Sequence, residues 1–189
     1  MFKDLVKLNR SYRRFDSSED ISYDVLTDII DTARYTPSAR NLQVMRFRIV
    51  NTKVENDRVF RTLGWAGYLP DWDGPEENER PTAYIVLLRD ITLGKTINYD
   101  DGIAAQTITL AAVEKGLGCC MIQSCQWKEL FDILNINPLK YTFSSIIAIG
   151  KPVENIILED IKEGNVKYYR DEQLSHHVPK RTLAELLIT

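Results

Sequence analysis

Two long stretches of the chain repeat their apolar residues with the period of a helix. The first follows Ser22, a favourable N-cap, and predicts a helix to about Tyr35 that ends before Pro37. Its apolar positions are Leu26, Ile29, Ile30 and Ala33. The second stretch, residues 99–115, has apolar side chains in almost every direction around the predicted helix. A helix of that kind belongs inside a protein or at a subunit interface.

Shorter apolar runs predict the other elements. The expected helices span residues 2–9, 55–63 and 127–134, and the expected strands span residues 47–50, 84–88, 119–122 and 142–149. The run at 84–88 is continuously apolar, which is typical of a strand buried on both faces. Residues 67–81 are rich in turn-forming residues, and a loop of that length in a compact domain is usually a lid or a binding loop.

The periodic pattern ends after Pro152. Beyond it, the pattern predicts only two extended pieces, residues 166–169 and 174–178. A tail of this length cannot make its own core, so we expect it to lie against the main body or another chain. A frayed terminus is the alternative, and the tail's Ile, Leu, Tyr and Val content argues against it. The interpretation is a single domain with a core at 1–152 and a C-terminal extension at 153–189.

Length and charge narrow the class of protein. The 189 residues favour one domain that can bury most of its apolar surface. The 24 basic and 27 acidic residues leave a net charge of −3, which argues against a nucleic-acid binder with a basic face. No apolar run approaches the roughly 20 residues that span a bilayer, and the N-terminus lacks the apolar stretch of a secretion signal. A cytoplasmic protein without a membrane or nucleic-acid partner is therefore expected.

The cysteines and histidines give no strong signal for a metal or a nucleophile. Cys119, Cys120 and Cys125 are an odd, clustered set, which we interpret as small apolar side chains in a reducing cytoplasm. The first two begin a predicted buried strand, where thiols are usually inert. His176 and His177 are neighbours on an extended segment and point to opposite faces, so no metal site is expected.

Four clusters of residues could bind a ligand. Residues 10–14 hold three arginines and a serine, enough donors for a phosphate, although a charged helix end or a solvated turn explains them too. Residues 36–43 form a polar loop that could offer Ser, Asn and backbone donors to a planar ligand, or simply turn. Residues 116–124 lead from a Gly-rich turn into a strand, without the third glycine of a dinucleotide fingerprint. The pair Lys180 and Arg181 is cationic, which ordinary surface charge also explains.

In this order the clusters resemble the nitroreductase family of FMN-dependent oxidoreductases. The motifs that carry the resemblance are Arg10-Ser11-x-Arg13-x-Phe15, Pro37-Ser38-x-x-Asn41-x-Gln43, Asp101-Gly-x-Ala-x-Gln106, Leu110-Ala-Ala before Gly116-Leu-Gly118, and Ala148-Ile-Gly-x-Pro-x-Glu154, followed by the basic pair in the tail. Each motif alone is loose, but together they cover essentially the whole chain in the order and spacing of the family.

The resemblance implies an α+β fold with a mixed, mainly antiparallel sheet flanked by helices. It also implies a homodimer that binds two FMN molecules across the subunit interface. The apolar helix at 99–115 would be the central helix of that dimer, and the C-terminal tail would extend onto the partner subunit.

The resemblance also assigns roles at the phosphate and pyrimidine ends of FMN. Arg10 and Ser11 match the positions that hold the phosphate and the ribityl chain. Arg13 matches a cation at the pyrimidine edge, where it would stabilise the reduced flavin. Lys180 and Arg181 match basic residues that reach the phosphate, and the sequence leaves open which of the two does so.

The remaining implied contacts are those of the flavin ring. Pro37, Ser38 and Asn41 match a loop that contacts the flavin from the other subunit. Gln123 and Ser124 match a segment that lies over the isoalloxazine ring and offers a backbone donor towards N5.

Three features depart from the family's pattern. Asn9 stands where many relatives have another arginine, and position 123 is often acidic instead of Gln. The segment 65–72 has no clear counterpart. Its aromatic residues, Trp65, Tyr68 and Trp72, could form a lid above the flavin, or they could simply pack in the core or at an interface.

The implied function is hydride transfer from NAD(P)H to flavin N5, followed by electron transfer to a nitroaromatic, a quinone or another flavin in a ping-pong cycle. In such an enzyme the flavin carries the chemistry, which agrees with the lack of an acid–base dyad in the sequence. One alternative is a flavin-binding protein for storage or sensing, without turnover. Another is an interaction module that uses Arg10, Arg13 and Arg14 as a basic patch.

Overall fold

The computed structural model describes residues 1–94 and 99–188. Its helices are α1 (Phe2–Leu8), α2 (Tyr23–Arg34), α3 (Lys53–Phe60), α4 (Asp100–Glu114), α5 (Trp127–Leu134) and α6 (Leu183–Leu186). Its strands are β1 (Phe15–Asp16), β2 (Met45–Val50), β3 (Ala83–Asp90), β4 (Gly118–Ile122), β5 (Tyr141–Pro152), β6 (Ile156–Asp160), β7 (Tyr169–Arg170) and β8 (His176–Lys180). Short 3-10 turns occur at Ala39–Asn41 and Glu77–Glu79.

The main sheet has five strands, and all of its pairings are antiparallel. Strand β5 pairs with β3 on one edge, while β4 and then β1 share its other edge. β2 completes the sheet beyond β3. This arrangement confirms the expected α+β class with a mainly antiparallel sheet flanked by helices.

Helices cover both faces of this sheet, because alternate side chains of a strand point to opposite faces. Ile85 and Leu87 of β3 pack in a core with α2 and α4, and Val86 packs in a second core with α3 and α5. The residues of β3 from Ala83 to Leu88 are buried, as expected for its continuous apolar run.

Side-chain and glycine caps set the ends of the main helices. The Ser22 hydroxyl accepts a hydrogen bond from the Val25 N–H at 3.3 Å and begins α2 where the sequence predicts. Gly116, at φ +74°, ends α4, with the Leu117 N–H bonded to the Ala112 carbonyl at 3.0 Å.

Several element bounds differ from the sequence-based expectation, and two of the differences have a clear local cause. The helix expected at 55–63 lies at Lys53–Phe60, because the Thr52 hydroxyl accepts the Glu55 N–H and starts the helix earlier. The strand expected at 142–149 extends to Pro152, because the short β1 pairs with its last two residues.

The C-terminal segment forms a second sheet of three strands in the order β6–β8–β7. Strand β8 overlaps the extended piece expected at 174–178, whereas β7 overlaps the piece expected at 166–169 only at Tyr169. Strand β6 was not predicted, because its apolar run is short. The segment lies against the main body of the same chain: the Arg170 guanidinium stacks on the Trp72 ring at 4.1 Å, and the rings of Tyr68 and Tyr168 lie 5.0 Å apart. Among the residues described, no helix is both long and apolar enough to cross a membrane.

Candidate functional site

A cavity of about 300 Å³ opens where the segment after α1 meets α4, β4 and β8. We call it the cation cavity, because Arg10, Arg13 and Lys180 line it together with Ser11. None of the described residues in its wall carries a carboxylate. It therefore concentrates positive charge at one place.

Among the described residues, no carboxylate forms an ion pair with the three cations of the cation cavity. Burial lowers the pKa of Lys180, and the neighbouring charge of Arg10 lowers it further. Burial also lowers the pKa of Arg10, whose Nε is buried without a hydrogen-bond partner among the described residues. An anion in the cavity would relieve both effects, because it would favour the charged forms of the two side chains.

The backbone of residues 9–12 is fixed by β4 and α4. Ser11 forms a parallel bridge with Cys119, and the Tyr12 N–H donates to the Cys119 carbonyl at 2.9 Å. The Asn9 side chain donates to the Thr109 hydroxyl on α4 at 2.8 Å. The cation cavity is thus built on strand β4 and helix α4.

Arg13 is held by contacts from several elements. Its backbone N–H donates to Glu154 Oε2 at 2.9 Å, and that carboxylate is fully buried and also accepts from Arg170 at 2.8 Å. Its guanidinium donates to the Ser11 carbonyl at 3.1 Å and lies 4.8 Å from the centre of the Tyr168 ring. His176 Nε2 lies 3.3 Å from the same guanidinium.

A second cavity of about 260 Å³ adjoins the first, and we call it the β4 cavity. Arg13, Met121 and Tyr168 line both cavities, so the two lie side by side and share these three residues as a wall. Gln123 and Ser124, which follow β4, line the second one.

The wall of the β4 cavity opposite the strand comes from the loop after α3. The Gly64 N–H donates to the Ser124 carbonyl at 2.8 Å, which ties that loop to the end of β4. A Cβ atom at Gly64 would lie 2.4 Å from the Ser124 hydroxyl, so the close approach needs a glycine there.

The three lid candidates differ in position. Trp65 lines the β4 cavity and packs on Phe60 at 5.7 Å. Tyr68 lines neither cavity and packs on Tyr168, which lines both. Trp72 lines neither cavity and packs under Arg170, so within one chain it supports the C-terminal sheet.

The loop that contains Pro37, Ser38 and Asn41 lies apart from these two cavities. Pro37 and Ser38 line a third cavity, of about 240 Å³, which shares no described lining residue with the other two. The Ser38 hydroxyl donates to Asp100 at the start of α4 at 2.8 Å, and Asn41 is exposed with φ +55°. One chain therefore does not bring this loop to the cation cavity.

Lys180 and Arg181, the basic pair in the tail, lie in different surroundings. Lys180, at the end of β8, lines the cation cavity. Arg181 does not line it and pairs instead with Glu185 on the surface at 3.3 Å, where Thr182 and Glu185 form a capping box for α6.

As expected, Cys119 and Cys120 lie on a buried strand, β4, and His176 and His177 point to opposite sides of β8. All three cysteines are free, and burial raises the pKa values of Cys119 and Cys120, the latter to about 11. His176 faces Arg13, whereas His177 faces Glu159 and Asp171. Within residues 1–94 and 99–188, no cluster of His, Cys, Asp or Glu is arranged to hold a metal ion.

Sequence reasoning missed three residues of this site. Tyr168 lines both cavities, His176 contacts Arg13, and Glu154 holds the Arg13 backbone. Glu154 was part of a matching motif but had no role assigned to it. The other two lie in a tail whose contacts no local pattern reveals.

A model of the nitroreductase family matches residues 7–67, roughly the first third of the chain. Among curated proteins, none matches this sequence. Solved structures match between 80% and 99% of its length. A Desulfovibrio desulfuricans protein solved in complex with FMN is 22% identical, with a TM-score of 0.71 over 99% of this chain and 95% of that one. This is the nitroreductase fold.

Two further solved structures have the same fold as this chain. An FMN-dependent nitroreductase from Clostridium difficile R20291 is 24% identical, with a TM-score of 0.64 over 90% of this chain and 92% of that one. Iodotyrosine deiodinase bound to FMN and 3-iodo-L-tyrosine is 21% identical, with a TM-score of 0.65 over 91% and 96%. The resemblance to the nitroreductase family that the motifs indicated is confirmed, and at these identities the likeness establishes the fold.

Proposed function

We propose that the chain is an FMN-dependent oxidoreductase that is reduced by NAD(P)H and passes electrons to a small acceptor. The observation that carries the proposal is that the cation cavity and the β4 cavity lie side by side and share Arg13 and Tyr168. An unneutralised cationic end next to a slot between aromatic residues and a strand suits a ligand with a phosphate at one end and a flat ring at the other. FMN has that form.

The hydrogen-bond donors of the residues that line the cation cavity suit FMN. The buried Arg10 Nε and His176 Nδ1 lack partners among the described residues, and both side chains belong to the cation cavity. Such groups are costly unless a ligand or water bonds them. In the proposal Arg10, Ser11 and Lys180 hold the phosphate and ribityl chain, and Arg13 lies at the pyrimidine edge.

At the other end, Gln123 and Ser124 would border the ring in the β4 cavity. Strand β4 ends at Ile122, so backbone N–H groups of the two following residues are not committed to its ladder with β5. In the proposal one of them donates towards the flavin N5. Trp65 and Tyr168 would form the aromatic wall of the same slot, with Tyr68 packed behind Tyr168 and Trp72 packed under Arg170.

FMN, when bound, would supply the redox chemistry, with hydride accepted from NAD(P)H at N5 and electrons passed to a nitroaromatic, a quinone or another flavin in a ping-pong cycle. The chain's own part is binding, orientation and electrostatics. A guanidinium beside the pyrimidine edge favours negative charge there, which stabilises the reduced form relative to the oxidised form. No described side chain needs to act as an acid or a base for this role.

The proposal includes a homodimer whose two sites lie across the subunit interface. Pro37, Ser38 and Asn41 lie outside the cation cavity of their own chain, and a second copy is the source that would bring this loop to it. Exposed leucines near the C-terminus, among them Leu183 and Leu186, suit a tail that continues onto the partner. The division into a core at 1–152 and an extension at 153–189, within a single domain, belongs to the same proposal.

A cytoplasmic location is also proposed, because the three free thiols suit a reducing compartment.

The alternative of a basic-patch interaction module is less favoured. Arg14 is engaged by Glu79 through two hydrogen bonds of 2.6 and 2.7 Å, so it does not extend the positive surface of Arg10 and Arg13.

The test is direct. Purified protein, supplied with FMN and freed of excess, is mixed anaerobically with NADH or NADPH while the visible flavin absorbance is recorded. We expect rapid bleaching and recovery when an acceptor is added. Bound flavin that neither nucleotide bleaches would support the storage or sensing alternative, and protein that binds no FMN would refute the proposal.

A further inference from the structure

We propose that His176 is a positioning residue that holds the Arg13 guanidinium in the orientation that favours reduced flavin. The inference rests on the proposed function, since it concerns the cation expected at the pyrimidine edge. It goes further because it assigns to a buried side chain of the C-terminal sheet an effect on the reduction potential of the flavin.

The contact between the two side chains fixes the tautomer of His176. Nε2 lies 3.3 Å from Arg13 Nη1, and the imidazole is only 1% exposed. A guanidinium can only donate hydrogen bonds, so Nε2 has to present its lone pair. The proton of the neutral ring is then on Nδ1, the atom without a partner among the described residues.

The surroundings keep His176 neutral. Burial lowers its pKa to about 4; Glu154 opposes the shift, and the charges of Arg13 and Arg170 add to it. At neutral pH the ring therefore remains an acceptor. A protonated ring would carry no lone pair towards the guanidinium and would repel it.

The other contacts of the Arg13 guanidinium do not fix its orientation by themselves. One nitrogen donates to the Ser11 carbonyl at 3.1 Å, and the face of the group lies over the Tyr168 ring. Glu154 holds only the Arg13 backbone. Since Ser11 and His176 accept from the same nitrogen, Nη1, they fix it from two directions, and loss of either lets the group turn.

The neighbouring histidine provides a matched control. His177 contacts Glu159 and Asp171 at 3.1 Å each and stacks on Tyr169 with ring centres 4.7 Å apart. It belongs to the same strand but faces away from Arg13. If His176 acted only by anchoring the C-terminal sheet, substitution of either histidine would disturb the flavin similarly.

The experiment measures the reduction potential of bound FMN by equilibration with a reference dye, together with the dissociation constant of oxidised FMN. We expect His176→Phe to lower the preference for reduced over oxidised FMN about tenfold, which is a potential lower by about 30 mV for a two-electron couple. His176→Gln, whose amide oxygen can reach the place of Nε2, should restore most of the potential. His177→Phe should leave it unchanged.

A double-mutant cycle separates positioning from structure. In an Arg13→Ala background, His176→Phe should change the potential no further, because the group that it positions is absent. If His176→Phe does not fold, His176→Asn takes its place, since that side chain is too short to reach Arg13. An unchanged potential in a folded His176 variant, or an equal shift in His177→Phe, would overturn the inference.

The failure of the inference can be told from the failure of the proposed function. Wild-type protein that binds no FMN overturns both. Wild-type protein that binds FMN and is bleached by NAD(P)H, with a potential that responds to Arg13→Ala but not to His176 variants, overturns the inference alone.

Discussion

At the scale of single residues, the chemistry of the site depends on cations that lie close together without a carboxylate between them. Burial lowers the pKa values of Lys180 and Arg10, and the charge of Arg10 lowers the pKa of Lys180 further. Such a cluster is unfavourable in the empty protein and becomes favourable when an anion is bound. We therefore expect a cation that lines the cavity to contribute to FMN binding, and a neighbouring cation on the surface to contribute little.

Lys180 and Arg181 are adjacent, yet we expect only the first to matter for FMN. Lys180→Ala should weaken FMN binding by about 10- to 100-fold, because a hydrogen bond to a charged group contributes about 1.5–3 kcal/mol. Arg181→Ala should change it little, since that side chain pairs with Glu185 outside the cavity. Fluorescence titration of FMN measures both constants, and equal losses in the two variants would contradict the assignment.

Arg13 should set the flavin potential. Arg13→Ala is expected to lower the potential by about 30–60 mV, the equivalent of losing a charged hydrogen bond of about 1.5–3 kcal/mol. The fold should persist, since the side chain is partly exposed and its backbone contact to Glu154 remains. Arg14→Ala serves as the control, because that guanidinium is engaged by Glu79. An unchanged potential and hydride-transfer rate in Arg13→Ala would show that the assignment is wrong.

At the scale of elements, the C-terminal sheet decides whether the cation cavity is closed. It supplies Tyr168, His176 and Lys180 to the cavity wall, and it is tied to the core by Arg170 and Glu154. The three strands have few buried apolar side chains of their own, so polar contacts carry much of their order. Where such contacts involve a histidine, their strength depends on its protonation and therefore on pH.

His177 should make the C-terminal sheet sensitive to alkaline pH. It contacts two carboxylates, Asp171 and Glu159, and both hydrogen bonds require a protonated ring. These partners raise its pKa above the unfolded value, so its stabilising effect is complete below that value and is lost as pH rises through the folded pKa. We expect hydrogen exchange in β7 and β8 to quicken as pH rises from about 6.5, beyond the intrinsic increase.

The control for this prediction is His177→Gln. Its exchange should follow only the intrinsic dependence on pH across the same range. A wild-type profile that matches the variant would show that His177 does not anchor the sheet.

The junction of β1 with β5 leaves no room for a side chain at Gly150. A Cβ atom there would lie 2.8 Å from the ring of Phe15, which is fully buried. Gly150→Ala should therefore destabilise the protein by about 1–3 kcal/mol, the range for overpacking a core. Gly67→Ala is the matched control, since nothing lies within 4 Å of its Cβ position. Denaturant unfolding compares the two, and equal stabilities would contradict the packing argument.

At the scale of the whole molecule, the single chain leaves surfaces that its own contacts do not use. Ile103, Leu110 and Val113 on α4 are only partly buried, although the helix is apolar nearly all round. The loop with Ser38 and Asn41 lies apart from the cation cavity. Both features are accounted for if two copies associate and share their sites.

Mixed dimers test this sharing. One chain carries Arg10→Ala and Lys180→Ala, and the other carries Ser38→Ala and Asn41→Ala. Each alone should bind FMN weakly, whereas a heterodimer isolated with two different tags should bind one FMN tightly, because one of its sites keeps all four residues. A monomeric protein, or a heterodimer no better than its parents, would contradict the shared site.

Much of the fold follows from local pattern. The cap at Ser22, the apolar face of α2 and the continuous run in β3 each act within a few residues, so these elements can be predicted without knowing any long-range contact. The motif around Arg10 and Arg13 also carried the family resemblance. The ends of α3 and β5 were less well predicted, because a cap at Thr52 and a partner strand settle them.

The tertiary structure alone decided which residues of the site meet. Tyr168 and His176 reach Arg13 across more than 150 positions of sequence, and Lys180 turns into the cavity while Arg181 does not. No local periodicity encodes such contacts, because they depend on how the C-terminal sheet packs against the core. Propensity and capping act between near neighbours, whereas a binding site is made where distant segments are brought together.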